Sequence, residues 1–130
     1  MKTLMLSCLT ALTLSSSIAL AADPAIGVWE TGLDEGRYSH VKIEQCGGKM
    51  CGTLLRLFEE DGTPVNDGNI GKTILWDMTP KPGGKYRDGK FWRVFDGKTY
   101  NGKMDMLGSQ LKVSGCVMFI CAGQKWNRTE

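Results

Sequence analysis

Alternation of apolar and polar side chains organises this chain from residue 22 onward. Over 37–46, Val41 and Ile43 fall on one face while His40, Lys42 and Glu44 fall on the other, the period-two pattern of a half-buried strand. The stretch 98–107 repeats it, with Tyr100, Met104 and Met106 on one side and Asn101, Lys103 and Asp105 on the other. Shorter apolar, β-branched and aromatic runs at 27–31, 51–58, 73–78, 91–95, 111–117 and 121–128 complete the set. Turn-forming clusters separate them: Gly32–Gly36, Gly47–Met50, the long polar connection 59–71, Thr79–Gly84, Asp88-Gly89 and Asp96-Gly97. No stretch sustains a helical period. The expected fold is all-β, an antiparallel arrangement of about eight short strands, and closing them into a small barrel is the most economical way to remove the edges.

Residues 1–21 carry a different pattern. Lys2 gives a short basic start, Leu4 to Leu14 an apolar segment, and Ala19-Leu20-Ala21 a small-x-small cleavage site, which together read as a secretory signal peptide. The apolar segment is short for a membrane span, and no later stretch approaches the ~20 apolar residues that one needs. The expected product is a single periplasmic or secreted domain over 22–130, without a transmembrane segment. The 130-residue chain has 16 basic and 14 acidic side chains, and removal of Lys2 leaves a balance of about +1. No basic run exists to neutralise phosphates, so nucleic acid is not an expected partner.

Four of the five cysteines lie beyond residue 21: Cys46, Cys51, Cys116 and Cys121. An even number in a small exported domain implies disulfides. Four residues separate the members of each close pair, which suits opposed positions on either side of a hairpin loop. Proximity therefore favours Cys46 with Cys51 and Cys116 with Cys121. A zinc site made of the four thiolates runs against the same compartment argument. Met104-x-Met106 has the softness of a copper(I) site, yet alternation puts both on the apolar face, where methionine fills core gaps. No cofactor or metal is expected.

Catalytic chemistry finds little support. His40 is the only histidine and lies on the polar side of its strand, with no nucleophile or orienting group near it in sequence. Glu59-Glu60-Asp61 reads as a charged turn. The chain is accordingly expected to be no enzyme, and a small hydrolase is the weakest of the functional readings. Two features are candidates for binding. The first is the barrel interior, lined by Val41, Ile43, Leu55, Leu57, Tyr100, Met104, Met106, Leu111 and Val113. Eight short strands leave either a filled core or a small cavity for an apolar or amphipathic ligand, and both readings stay open. The second is Val117-Met118-Phe119-Ile120, an apolar run between two cysteines. As an exposed tip it would meet a membrane surface, a partner or an arriving ligand; the reading the sequence favours is instead a continuous buried strand.

An early Gly27-Val28-Trp29 and a late Trp126-Asn127-Arg128 suggest closure of the barrel, with the guanidinium of Arg128 over the indole of Trp29. These two motifs, the Cys46 to Gly52 hairpin, Asp96-Gly97-Lys98-Thr99-Tyr100 and the Gly115-Cys116 ending together resemble the exported bacterial family of domain of unknown function 2147. The resemblance implies a lipocalin-like or calycin-like barrel with no established activity. It also implies that Gly27, Trp29 and Arg128 are structural, closing the base. The family's middle section is shortened over Asn66–Gly84, and Tyr86–Lys90 stands where a Trp-x-Gly-Gly element is expected. The function expected is non-enzymatic binding of a small ligand. The alternative is a structural or protein-interaction module of the cell envelope without one.

Overall fold

A computed structural model describes residues 3, 8–12 and 22–129. Most of the expected signal peptide, and its cleavage site, lie outside the described residues. The described residues form nine strands, β1 (Gly27–Glu30), β2 (Arg37–Cys46), β3 (Lys49–Glu59), β4 (Pro64–Val65), β5 (Thr73–Lys81), β6 (Lys85–Trp92), β7 (Thr99–Leu107), β8 (Gln110–Val117) and β9 (Ile120–Arg128). Each pairs antiparallel with a neighbour in the meander, and β1 pairs with β9, so the sheet closes on itself. The two-residue β4 lies beside the end of β3, leaving an eight-stranded barrel. Closure removes the edges that an open sheet of this length would expose.

The antiparallel order gives the barrel two distinct ends. The start of β1, the β2–β3, β5–β6 and β7–β8 turns and the end of β9 form the base. The mouth carries the loops 31–36, 60–72 and 93–98 and the β8–β9 turn. Side chains of Trp29, Val41, Ile43, Met50, Leu54, Leu75, Met78, Tyr86, Met104 and Leu111 are buried in one cluster that fills the base half. Room for Met78 comes from glycine, since a Cβ on Gly89 would stand 2.4 Å from its Sδ and one on Gly102 2.7 Å from its Cε.

Several boundaries differ from the expected ones for identifiable reasons. Lys49 and Met50 belong to β3, because Cys46 pairs with Lys49 across a two-residue turn at Gly47-Gly48. Cys51 consequently sits opposite Glu44, and the Cys46–Cys51 disulfide runs diagonally with the Cα atoms 5.9 Å apart. Cys116 and Cys121 are directly opposed and bonded, with Cα atoms 4.1 Å apart. β5 runs on through Thr79-Pro80 to Lys81, past its Met50–Met78 rung with β3, so the missing N–H of Pro80 interrupts no ladder on that side. β6 occupies 85–92 instead of 91–95, because the Asp88-Gly89 turn signal is spent on an irregularity inside the strand. Leu55 is the extra residue of a bulge between the His40–Arg56 and Val41–Leu54 pairs. It is only partly buried, and Leu54 takes the interior position expected of it.

Candidate functional site

At the base, the segment 23–26 lies against the end of the barrel and is bound from three sides. The guanidinium carbon of Arg128 lies 4.4 Å from the centroid of the Trp29 ring. The same guanidinium donates to the carbonyl of Ile26 at 2.7 Å and to that of Pro24. Trp29 Nε1 donates to Ala25 O at 2.8 Å. The Tyr86 hydroxyl donates to Asp23 Oδ1, which also accepts from the Ala25 N–H at 2.8 Å. Burial and the Asp23 carboxylate push the Tyr86 hydroxyl well above its ordinary pKa, so it stays a donor. Gly27 has φ 140°, a conformation that lets the chain turn from this plug into β1.

The mouth half is open. It holds a cavity of about 570 Å³ and an adjoining hollow of about 320 Å³, which share Asp34, Phe91, Gln124 and Trp126. Leu57, Ile74, Phe91, Val113 and Trp126 supply apolar walls, whereas Thr31, Ser39, Arg37 and Arg93 and the carboxylates of Asp34, Glu35, Glu59 and Asp67 supply polar and charged groups. Gln124 fixes the orientation of its amide unusually well, because both its contacts are pure donors. Its Oε1 accepts from Trp126 Nε1 at 2.8 Å and from the Gly32 N–H at 3.1 Å, which assigns the other end of the amide to the NH₂.

One residue ties two mouth loops together. Arg93 grips Asp34 with two contacts, Nε to Oδ2 at 2.9 Å and a terminal nitrogen to Oδ1 at 2.6 Å. It also donates to Asp96 Oδ2 at 3.1 Å, and the same oxygen accepts from the Tyr100 hydroxyl at 2.5 Å. Asp34, more than Asp96, holds the guanidinium firmly protonated. The Tyr100 hydroxyl, ahead of the Lys98 N–H and Arg93, holds the Asp96 carboxyl below its ordinary value. Loops 31–36 and 93–98 are thus bridged beside the cavity.

A family model described as an uncharacterized protein conserved in bacteria, DUF2147, matches residues 27–128. The chain belongs to this family. The match runs from the first residue of β1 to the last of β9, so the DUF2147 unit is the barrel itself. The barrel is similar to that of a Helicobacter pylori protein, HP1028, described as belonging to the lipocalin family. The TM-score is 0.66 at 18% identity, over 81% of this chain and 82% of that one, a likeness of fold. No curated protein matches the chain.

The residues expected to line the interior divide between the two halves of this DUF2147 barrel. Val41, Ile43, Met104 and Leu111 are packed into the filled base, with Met106 against it. Leu57, Val113 and Tyr100 reach the cavity or its adjoining hollow. Sequence reasoning missed Ile74, Phe91, Gln124 and Trp126 as cavity wall and Asp34 and Arg93 as rim. Alternation along β9 places Gln124 and Trp126 on one face and is the signal that finds them; Asp34 and Arg93 sit in loops, where no period applies. Among the described residues no three His, Cys, Asp or Glu side chains converge as metal ligands would. His40 lies outside the barrel, 3.1 Å from Glu30 and 3.3 Å from Arg56.

The tip corrects the buried-strand expectation. Val117 pairs with Ile120 around a two-residue turn with Met118 at φ 54°, and the four side chains face solvent.

Proposed function

We propose that this chain is an exported, non-enzymatic binding protein whose mouth cavity takes one small amphipathic molecule. The observation that carries the reading is the contrast within one barrel: a packed, plugged base beneath an open half with apolar walls and a polar rim. A volume of about 570 Å³ falls in the usual range for small-molecule sites, roughly 300–1,000 Å³. The apolar part of the ligand lies against Phe91, Trp126, Ile74 and Leu57. Its polar end meets the Gln124 NH₂ and the groups around Arg37 and Ser39. The lipocalin description of the Helicobacter pylori neighbour supports binding as the use of this fold. Export is supported by the signal pattern of 1–21 and by two disulfides beyond it.

The test is titration with cis-parinaric acid, a fluorescent fatty acid, followed by its emission. Val94 lines the cavity from a mouth loop and packs against the buried cluster there, so Val94→Trp should fill the space from the mouth side, with near-ultraviolet circular dichroism checking that the barrel is kept. Saturable binding by the native protein, weakened by about tenfold or more in the variant, is the expected result. Absence of binding, or equal binding by both, contradicts the proposal and favours the alternative of an envelope interaction module that holds no small molecule.

A further inference from the structure

Exposed large apolar side chains are not scattered over this barrel. Among residues 22–129, Leu33, Ile70 and Phe95 stand on the three mouth loops and Val117 to Ile120 on the β8–β9 tip, with Leu107 as the exception at the base. At the tip the exposures are 56% for Val117, 84% for Met118, 98% for Phe119 and 81% for Ile120, so none of the four has found cover on its own molecule. The tip is also held out rigidly. The Cys116–Cys121 bond ties the opposed pair one rung below Val117–Ile120, and the turn itself contains only Met118 and Phe119. Its backbone is held in place before any contact is made, which lowers the entropic cost of docking.

We infer that this tip docks the protein, mouth first, on the surface of a lipid layer. Four properties select lipid over a second protein. The first is depth: two residues on each arm of a hairpin reach about 7 Å, within the ~5–10 Å by which interfacial segments enter the headgroup and acyl boundary. The second is area, because a four-residue tip offers far less than the ~800 Å² per partner that stable protein pairs bury. The third is interruption: the loops that carry Leu33, Ile70 and Phe95 also carry Asp34, Glu35, Asp67 and Asp96, so the exposed apolar side chains outside the tip stand among charges. The fourth is position. The same hairpin lines the inner hollow through Val113, Gly115, Ala122 and Gly123, so a lipid layer contacted by the tip lies at the cavity opening. Charge steering is not the attraction, since the mouth loops carry Asp34, Glu35, Glu60, Asp61, Asp67 and Asp96 against Lys72, Arg93 and Lys98. Neutral zwitterionic headgroups are therefore the fitting partner. The inference holds whether or not the cavity is loaded.

Flotation of the disulfide-intact protein with phosphatidylcholine vesicles tests it. The native protein should float with the vesicles, to an extent unchanged between low and physiological salt. Phe119→Ser should reduce the bound fraction by about tenfold, and Met118→Ser with Phe119→Ser should bring it to background. Both positions are solvent-facing, so near-ultraviolet circular dichroism and cis-parinaric acid titration should match the native protein. That titration separates failure at the tip from failure at the cavity. No flotation of the native protein, flotation of the double variant at the native level, or binding that disappears with salt overturns the inference. So does sedimentation showing a tip-dependent dimer, which would make the tip a protein contact.

Discussion

Arg128 carries more of the fold than one exposed side chain usually does, because it joins the last strand to the first by stacking and to the plug by two hydrogen bonds. Arg128→Ala should lower stability by roughly 1–2 kcal/mol in urea titration and leave cis-parinaric acid affinity nearly intact, as its contacts lie at the base. Gly89→Ala acts within the wall. Its Cβ would meet Met78 Sδ at 2.4 Å and the fixed carbonyl of Trp76 at 2.9 Å, so a loss of about 1–3 kcal/mol is expected in the same measurement. Asp96 sets the acid limit of the mouth clamp. Its carboxyl is held below its ordinary value in the folded protein, first by the Tyr100 hydroxyl, so the stabilisation it brings is present above the ordinary aspartate range. It is lost as pH falls through the lowered folded-state value. The side-chain resonances of Arg93 and Tyr100 should therefore move with an acid midpoint lower than that of an ordinary aspartate; a midpoint at or above the ordinary aspartate value would contradict the clamp. At this scale alternation identified Val41, Ile43, Leu57 and Val113 as inward residues. It missed Leu54, because a single bulge inserts one residue and reverses the faces beyond it. Nothing in Leu54-Leu55 as a dipeptide marks which leucine is displaced.

Among the elements, the β8–β9 hairpin combines three roles: cavity wall on its inner face, staple near its end and apolar tip beyond. Replacing Cys116 and Cys121 together by serine should cost about 2 kcal/mol on the chain-entropy account of a short closed loop, seen in urea titration against the native protein under oxidising conditions. Amide exchange at Val117–Ile120 should rise with it. Retention of full stability would mean that the hairpin register is fixed by its pairing alone. Pairing of the cysteines by nearness was readable in the sequence, because a spacing of four leaves room only for a tight turn. The diagonal geometry at Cys46–Cys51 was not, since it depends on whether Lys49 and Met50 sit in the loop or in β3. The apolar composition of 117–120 likewise described a buried strand as well as a tip; only the register of the turn decides between them.

On the scale of the whole molecule, a meander of short strands closed by β1 on β9 makes an asymmetric barrel. Its base is filled by aliphatic, methionine and aromatic side chains and capped by residues 23–26, and its mouth is left open under a bridge of Arg93 to Asp34. Strand number and closure followed from the alternation, the turn spacing and the terminal Trp29 and Arg128. The division into a filled and an open half did not, because it arises from how far Met78, Tyr86 and Met50 reach across the interior. Binding at the open half is the central claim, and native mass spectrometry of the protein purified gently from its native source tests it most directly. The account predicts extra mass of a small amphipathic molecule that leaves on denaturation and is absent from Val94→Trp prepared in the same way. Repeated native preparations without added mass, together with no uptake of cis-parinaric acid, would contradict it.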